Sequence, residues 1–202
     1  MKEIERSASI QPYTDKVERI YRVLLSRNKS EMSWYRIAKE ADAAFGWVDR
    51  VLTGLEEEGI IKGSAIKDPK ALFEKWADRK DRRVYREYHV QEPEKILKKS
   101  GMDYALTGYF AENLIGHYLF PRYYELYIHM KDGARWHHLI SENGYVGKGN
   151  MQIILADEHV FFESSKANKW PTVSVQQLIV DLYREGAECT EAADLLLSKV
   201  YK

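Results

Sequence analysis

Apolar residues recur at helical spacing in the first third of the chain. Val17, Ile20, Tyr21, Leu24 and Leu25 fall on one side of a helical period, which predicts an amphipathic helix over residues 14–26. Thr14 is the expected N-cap, with Asp15 in the first turn, where negative charge suits the helix dipole. Polar residues 27–30 lead to a second helix that Ser33 can cap, burying Ile37, Ala38 and Ala41. Residues 42–44 make a turn, and Val48, Val51, Leu52 and Leu55 line one face of a third helix. Gly59 suits the left-handed residue that ends a helix, and Ile60-Ile61 opens a strand.

Residues 62–69 read as a turn out of that strand, and Leu72, Phe73 and Trp76 place a helix over residues 70–80. Residues 82–90 have the aromatic and β-branched content of a strand. Pro, charge and Gly coincide over residues 92–101, so the expected division is 1–95 and 96–202. Beyond it the pattern predicts a helix at 106–116, a strand at 122–130 and a helix at 134–142. A hairpin of 151–155 with 159–163 follows, then helices over 174–183 and 190–201. The fold class is α+β, a small mixed α/β domain after a three-helix unit.

Three short helices, the second and third close-coupled, then Gly and a strand, resemble the winged helix-turn-helix of microbial transcriptional regulators. If helix three buries its apolar stripe, its other face shows Gly46, Trp47, Asp49, Arg50, Thr53 and Gly54. Arg50 offers paired donors to guanine and Trp47 a flat apolar ring, so Gly46, Trp47 and Arg50 are the expected base contacts on double-stranded DNA. The competing structural roles are Trp47 packing on the wing and Arg50 pairing with Asp49 or Glu40. Ser33, Tyr35 and Arg36 open helix two, and Arg79, Lys80, Arg82, Arg83 and Arg86 form the densest basic cluster. These are the expected phosphate contacts.

The formal charge is zero, which argues against a strongly basic nucleic-acid binder. The halves differ: residues 1–100 carry 22 Lys+Arg against 18 Asp+Glu, and the remainder 9 against 13. That asymmetry favours nucleic-acid contact by the first half. One cysteine, Cys189, excludes an internal disulfide and a Cys-rich metal site and reads as a buried thiol. No apolar run has membrane-span length and the first residues are polar, so a cytoplasmic location without membrane association is expected.

Signals for catalysis are weak. Asp157, Glu158, Glu163 and Lys166 could bind Mg²⁺ and a phosphate near the expected hairpin, but Glu163 and Lys166 would face opposite ways on a continuous strand. His137, His138, His159 and Glu142 include adjacent histidines that a helix splays apart. Gly147-Lys148-Gly149 has too little around it for a phosphate loop. No enzyme activity, cofactor or metal is expected. Gln177 and Asp181, four apart on one helix, are expected to bond each other. Tyr118, Tyr123, Tyr124 and Tyr127 suit a pocket, an interface or a core.

Gln176-Gln177-Leu178-Ile179-Val180-Asp181-Leu182, then Glu185-Gly186-Ala187 and Glu191-Ala192-Ala193, resemble the closing helices of the AbiEi-type antitoxin and transcriptional-regulator family. Tyr104-Ala105-Leu106-Thr107-Gly108 is similar to that family as well. The resemblance implies a DNA-binding repressor, often of its own promoter, with a toxin-like protein partner in the operon form. Homodimerisation on repeated half-sites is expected of a single recognition helix. Two other classes stay open: a nucleic-acid-processing enzyme that uses the winged helix for docking, and a protein-interaction module.

Overall fold

A computed structural model of the chain describes residues 15–27, 32–79 and 84–201. The fold is α+β, and the contacts divide it into two units. One, the helical unit, comes from Thr14–Lys80 and Ser174–Lys202; the other, the α/β unit, comes from Asp81–Val173. The expected division at residues 95/96 falls inside the second of these, and the last two helices belong with the first three.

The helical unit opens with α1 (Lys16–Ser26), α2 (Trp34–Glu40) and α3 (Phe45–Glu57). Asp15, rather than the expected Thr14, is the N-cap of α1, because its carboxylate accepts from the backbone N–H groups of Val17 and Glu18. A short ribbon follows α3, β1 (Ile61–Lys62) with β2 (Ala65–Ile66), and then α4 (Pro69–Ala77), capped by Asp68. The closing α8 (Val175–Glu185) and α9 (Glu188–Val200) complete the same core. Ser174 caps α8 by accepting from the Gln177 N–H. Cys189 lies inside α9 and is fully buried.

A buried polar network ties the first helix to the last pair. The Arg22 guanidinium, 2% exposed, donates to Gln177 Oε1 at 2.9 Å and lies 5.2 Å from the Trp76 ring. Gln177 Nε2 in turn donates to Asp181 at 2.9 Å, the bond that their spacing predicts. Arg184 donates to Glu18 at 2.6 Å, and the Tyr201 hydroxyl donates to the Leu25 carbonyl at 2.8 Å. A buried donor that loses its partner costs about 1–3 kcal/mol, more when charged, so these bonds fix which faces meet.

The α/β unit is built on a seven-stranded sheet, in the order β6-β3-β7-β5-β4-β9-β8. Its strands are β3 (Val84–Val90), β4 (Tyr104–Thr107), β5 (Tyr124–Ile128), β6 (Gly144–Val146), β7 (Met151–Leu155), β8 (Ser165–Ala167) and β9 (Trp170–Thr172). Helices α5 (Pro93–Lys99), α6 (Gly108–Ile115) and α7 (Gly133–Ser141) complete it. β5–β7 and β4–β9 run parallel and the other pairs antiparallel. The central strands bury Leu106, Leu126, Tyr127, Ile128, Met151 and Ile154.

Two expectations need correcting here. The expected helix over residues 106–116 starts as strand β4; Gly108, at φ +58°, turns the chain into α6. A side chain there would collide with the Glu125 carboxylate, which accepts from the Tyr109 N–H. The expected hairpin of 151–155 with 159–163 does not form. Asp157 captures the His159 N–H, and residues Glu158–Phe161 wind into a 3-10 turn. β7 pairs instead with β3 and β5, and only Val160 of the apolar run is buried.

Candidate functional site

Helices α2 and α3, with the Ser33 cap, hold six of the eleven residues singled out for nucleic-acid contact. Ser33 starts α2, its hydroxyl accepting from the Arg36 N–H at 3.3 Å. The turn into α3 passes through Asp42 at φ +47°. Side-chain bonds from Lys16 and Arg19 hold the Asp42 carboxyl below the usual carboxylate range and fasten the turn to α1.

α3 buries Val48, Leu52 and Leu55, with Val51 half-buried. Gly46, Trp47, Asp49, Arg50 and Thr53 are exposed, as the apolar stripe predicts. No atom lies within 4 Å of where a Cβ on Gly46 would stand, so the backbone there is open to approach. The Arg50 guanidinium lies 5.5 Å from the Trp47 ring centre, a cation–π contact that orients it along the outer face. Among the described residues no ion pair joins Arg50 to Asp49 or Glu40. Glu40 takes Arg36 at 2.9 Å and Arg27 at 3.1 Å. Burial pulls the Glu40 carboxyl upward, but the hydrogen bonds from Arg36 and Arg27 outweigh it and the net shift is downward.

The ribbon is fastened to α2 and α3 at three points. Trp34 Nε1 donates to the Gly63 carbonyl at 3.2 Å, the Met32 N–H to Ser64 Oγ at 2.9 Å, and the Gly63 N–H to Glu56 Oε1 at 2.5 Å. Gly59, at φ +75°, makes the left-handed exit from α3 that its position predicts. Lys62 and Lys67 are exposed on the ribbon, and Lys39 on α2. These three cations carry no sequence signal beyond their charge; their place comes from the fold.

The predicted phosphate contacts scatter. Ser33 is engaged as a cap and Arg36 is paired with Glu40. Tyr35 is 72% exposed, its ring 6.5 Å from that of Phe45. Arg79 gives Nε and Nη2 to the second carboxylate oxygen of Asp15, at 3.0 and 2.8 Å, and so braces the start of α1. Arg86 lies half-buried on β3, in the other unit. Lys80, Arg82 and Arg83 lie outside the described residues. Phe45 sits three before Val48, at core spacing, yet is 48% exposed.

The acidic and histidine candidates do not converge. Asp157 caps its own turn, Glu158 meets His129, and Glu163 and Lys166 are exposed. His137 Nδ1 bonds the Tyr88 hydroxyl at 3.0 Å, His138 reaches Glu142 at 3.2 Å, and His159 stacks on Phe162. No group of three His, Cys, Asp or Glu placed to hold a metal ion occurs among the described residues. Gly149 serves packing, since a side chain there would meet the backbone of Tyr88 and His89. Tyr127 is buried in the sheet, Tyr124 half-buried, and Tyr118 and Tyr123 exposed. No described helix is long and apolar enough to cross a membrane.

Comparison with protein-family models, with curated proteins and with solved structures returned no match.

Proposed function

We propose that the helical unit binds double-stranded DNA, with α3 in the major groove, and that the protein is a sequence-specific transcriptional regulator of repressor or antitoxin type. One observation carries the reading. The outer stripe of α3 presents an open Gly46 and an Arg50 oriented by Trp47, beside a ribbon bonded to both reading helices. Arg50 takes a guanine edge, and Lys39, Lys62 and Lys67 take phosphates. The AbiEi-type resemblance of the closing helices points the same way. A second copy supplies the second half-site, and the α/β unit serves association with that copy or with a toxin-like partner.

Three lysines on phosphates predict a modest salt dependence. At about 0.9 per phosphate, the slope of log K against log salt is about −3 per protomer. Binding to the DNA upstream of the protein's own gene, against random duplex and across a salt series, measures it. Arg50→Ala is expected to cost ~1–3 kcal/mol and to lose discrimination. Lys62→Ala should weaken all duplexes alike and flatten the slope by about one. Absence of DNA binding at low salt would select a protein-interaction module, a reading that the neutral charge and the aromatic face of this unit also favour.

A further inference from the structure

Three aromatic rings stand in solvent where α2 and α3 begin. Tyr35 is 72% exposed, Phe45 48% and Trp47 42%. Among the described residues of the helical unit, Leu195 is the one other large apolar side chain left so open. Clustered apolar exposure of this kind marks a contact surface. Trp47 is accounted for as the platform under Arg50. Tyr35 and Phe45 are not.

The pair is built rather than incidental. The two rings come from the first turns of different helices and lie 6.5 Å apart, tilted by 40°. The Ser33 cap fixes the turn that carries Tyr35. Lys16 and Arg19 fix Asp42, just before the turn that carries Phe45. The rings thus form a preorganised apolar surface. Gly46, with open space above it, lets a base edge come close beside Phe45.

The chemistry of the major groove narrows what such a surface can read. Each base pair shows hydrogen-bonding groups there, and the A·T pair adds one apolar group, the thymine 5-methyl. The Phe45 phenyl ring contacts that methyl and has nothing to offer a phosphate, and the Tyr35 ring adds apolar surface beside it. We propose that Tyr35 and Phe45 together read thymine 5-methyl groups, so that the preferred sequence carries thymine beside the base taken by Arg50. This rests on α3 being the groove-entering helix.

The test replaces every thymine by uracil. The upstream fragment is amplified with dTTP or with dUTP, which removes the methyls and keeps the hydrogen-bonding edges. Full-length wild type is expected to bind the uracil form about four-fold more weakly per methyl contacted, the equivalent of ~0.8 kcal/mol for one methylene-sized group. Phe45→Ala should lose most of the difference between the two forms, and Tyr35→Ala with Phe45→Ala should bind both alike, at the wild-type affinity for the uracil form. Phe45→Leu, which keeps apolar contact, should retain part of the difference and so separates methyl reading from loss of fold. Thermal melts of each variant complete the control. If wild type prefers the upstream fragment over random duplex yet binds both forms equally, methyl reading is overturned and DNA recognition stands. If neither form binds at low salt, both fall, and the aromatic pair is a protein-docking surface.

Discussion

At the scale of single residues, several side chains singled out for contact prove to be braces. Arg79 and Arg36 have the right charge for phosphates, yet Asp15 and Glu40 already hold them. Sequence displays charge, whereas a free charge is a property of neighbours that can lie 64 positions away, as Asp15 and Arg79 do. The histidines teach the same point. His137 meets the buried Tyr88 hydroxyl, and desolvation, with Arg86 nearby, lowers its pKa from the ordinary 6.5. A lowered histidine favours the neutral form in the fold. Its contribution is fully present above pH 6.5 and is lost as pH falls from there through the lowered value. Urea midpoints taken from pH 7.5 downwards should therefore fall faster for wild type than for His137→Gln, with the two curves parallel above about pH 7.

At the scale of elements, periodicity is informative wherever packing is local. The three N-terminal helices, the Gly59 exit and the Ser33 and Ser174 caps are all legible in residue spacing. Strand β4 was not, because Tyr104-Ala105-Leu106-Thr107 runs straight into a helix with no polar break and only Gly108 marks the corner. The run from His159 to Phe162 failed for the opposite reason. Its strand-like composition is overruled by one carboxylate, Asp157, that captures a backbone N–H. The ribbon offers a test at this scale. Trp34→Phe removes the indole bond to Gly63 and keeps the ring. It should cost about 0.5–1.5 kcal/mol in chemical denaturation. Ribbon amides should exchange faster with solvent while those of α3 keep their protection.

At the scale of the whole molecule, composition and charge bound the class of protein but not its organisation. The break in pattern at residues 92–101 is a real change of element, α5 beginning at Pro93, without being a change of unit. Nothing local to Gln176–Leu182 says that its partner is Arg22; only the fold brings those groups together. The consequence is measurable. A chain ending at Val173 lacks the partners of Arg22, Glu18 and Leu25. It should lose the cooperative transition of the helical unit in thermal unfolding. Adding residues 174–202 as a separate peptide should restore part of it.

The same discontinuity sets a clock on synthesis. Helix α3 leaves the ribosome early, but the core beneath it waits for α8 and α9. The ~120 residues made after Lys80 take about 6–24 s at about 5–20 residues per second. Through that interval the nascent chain carries an unfinished first unit. A message cut short before α8 therefore yields a chain whose first unit stays without α8 and α9, and so without the partners of Arg22 and Glu18.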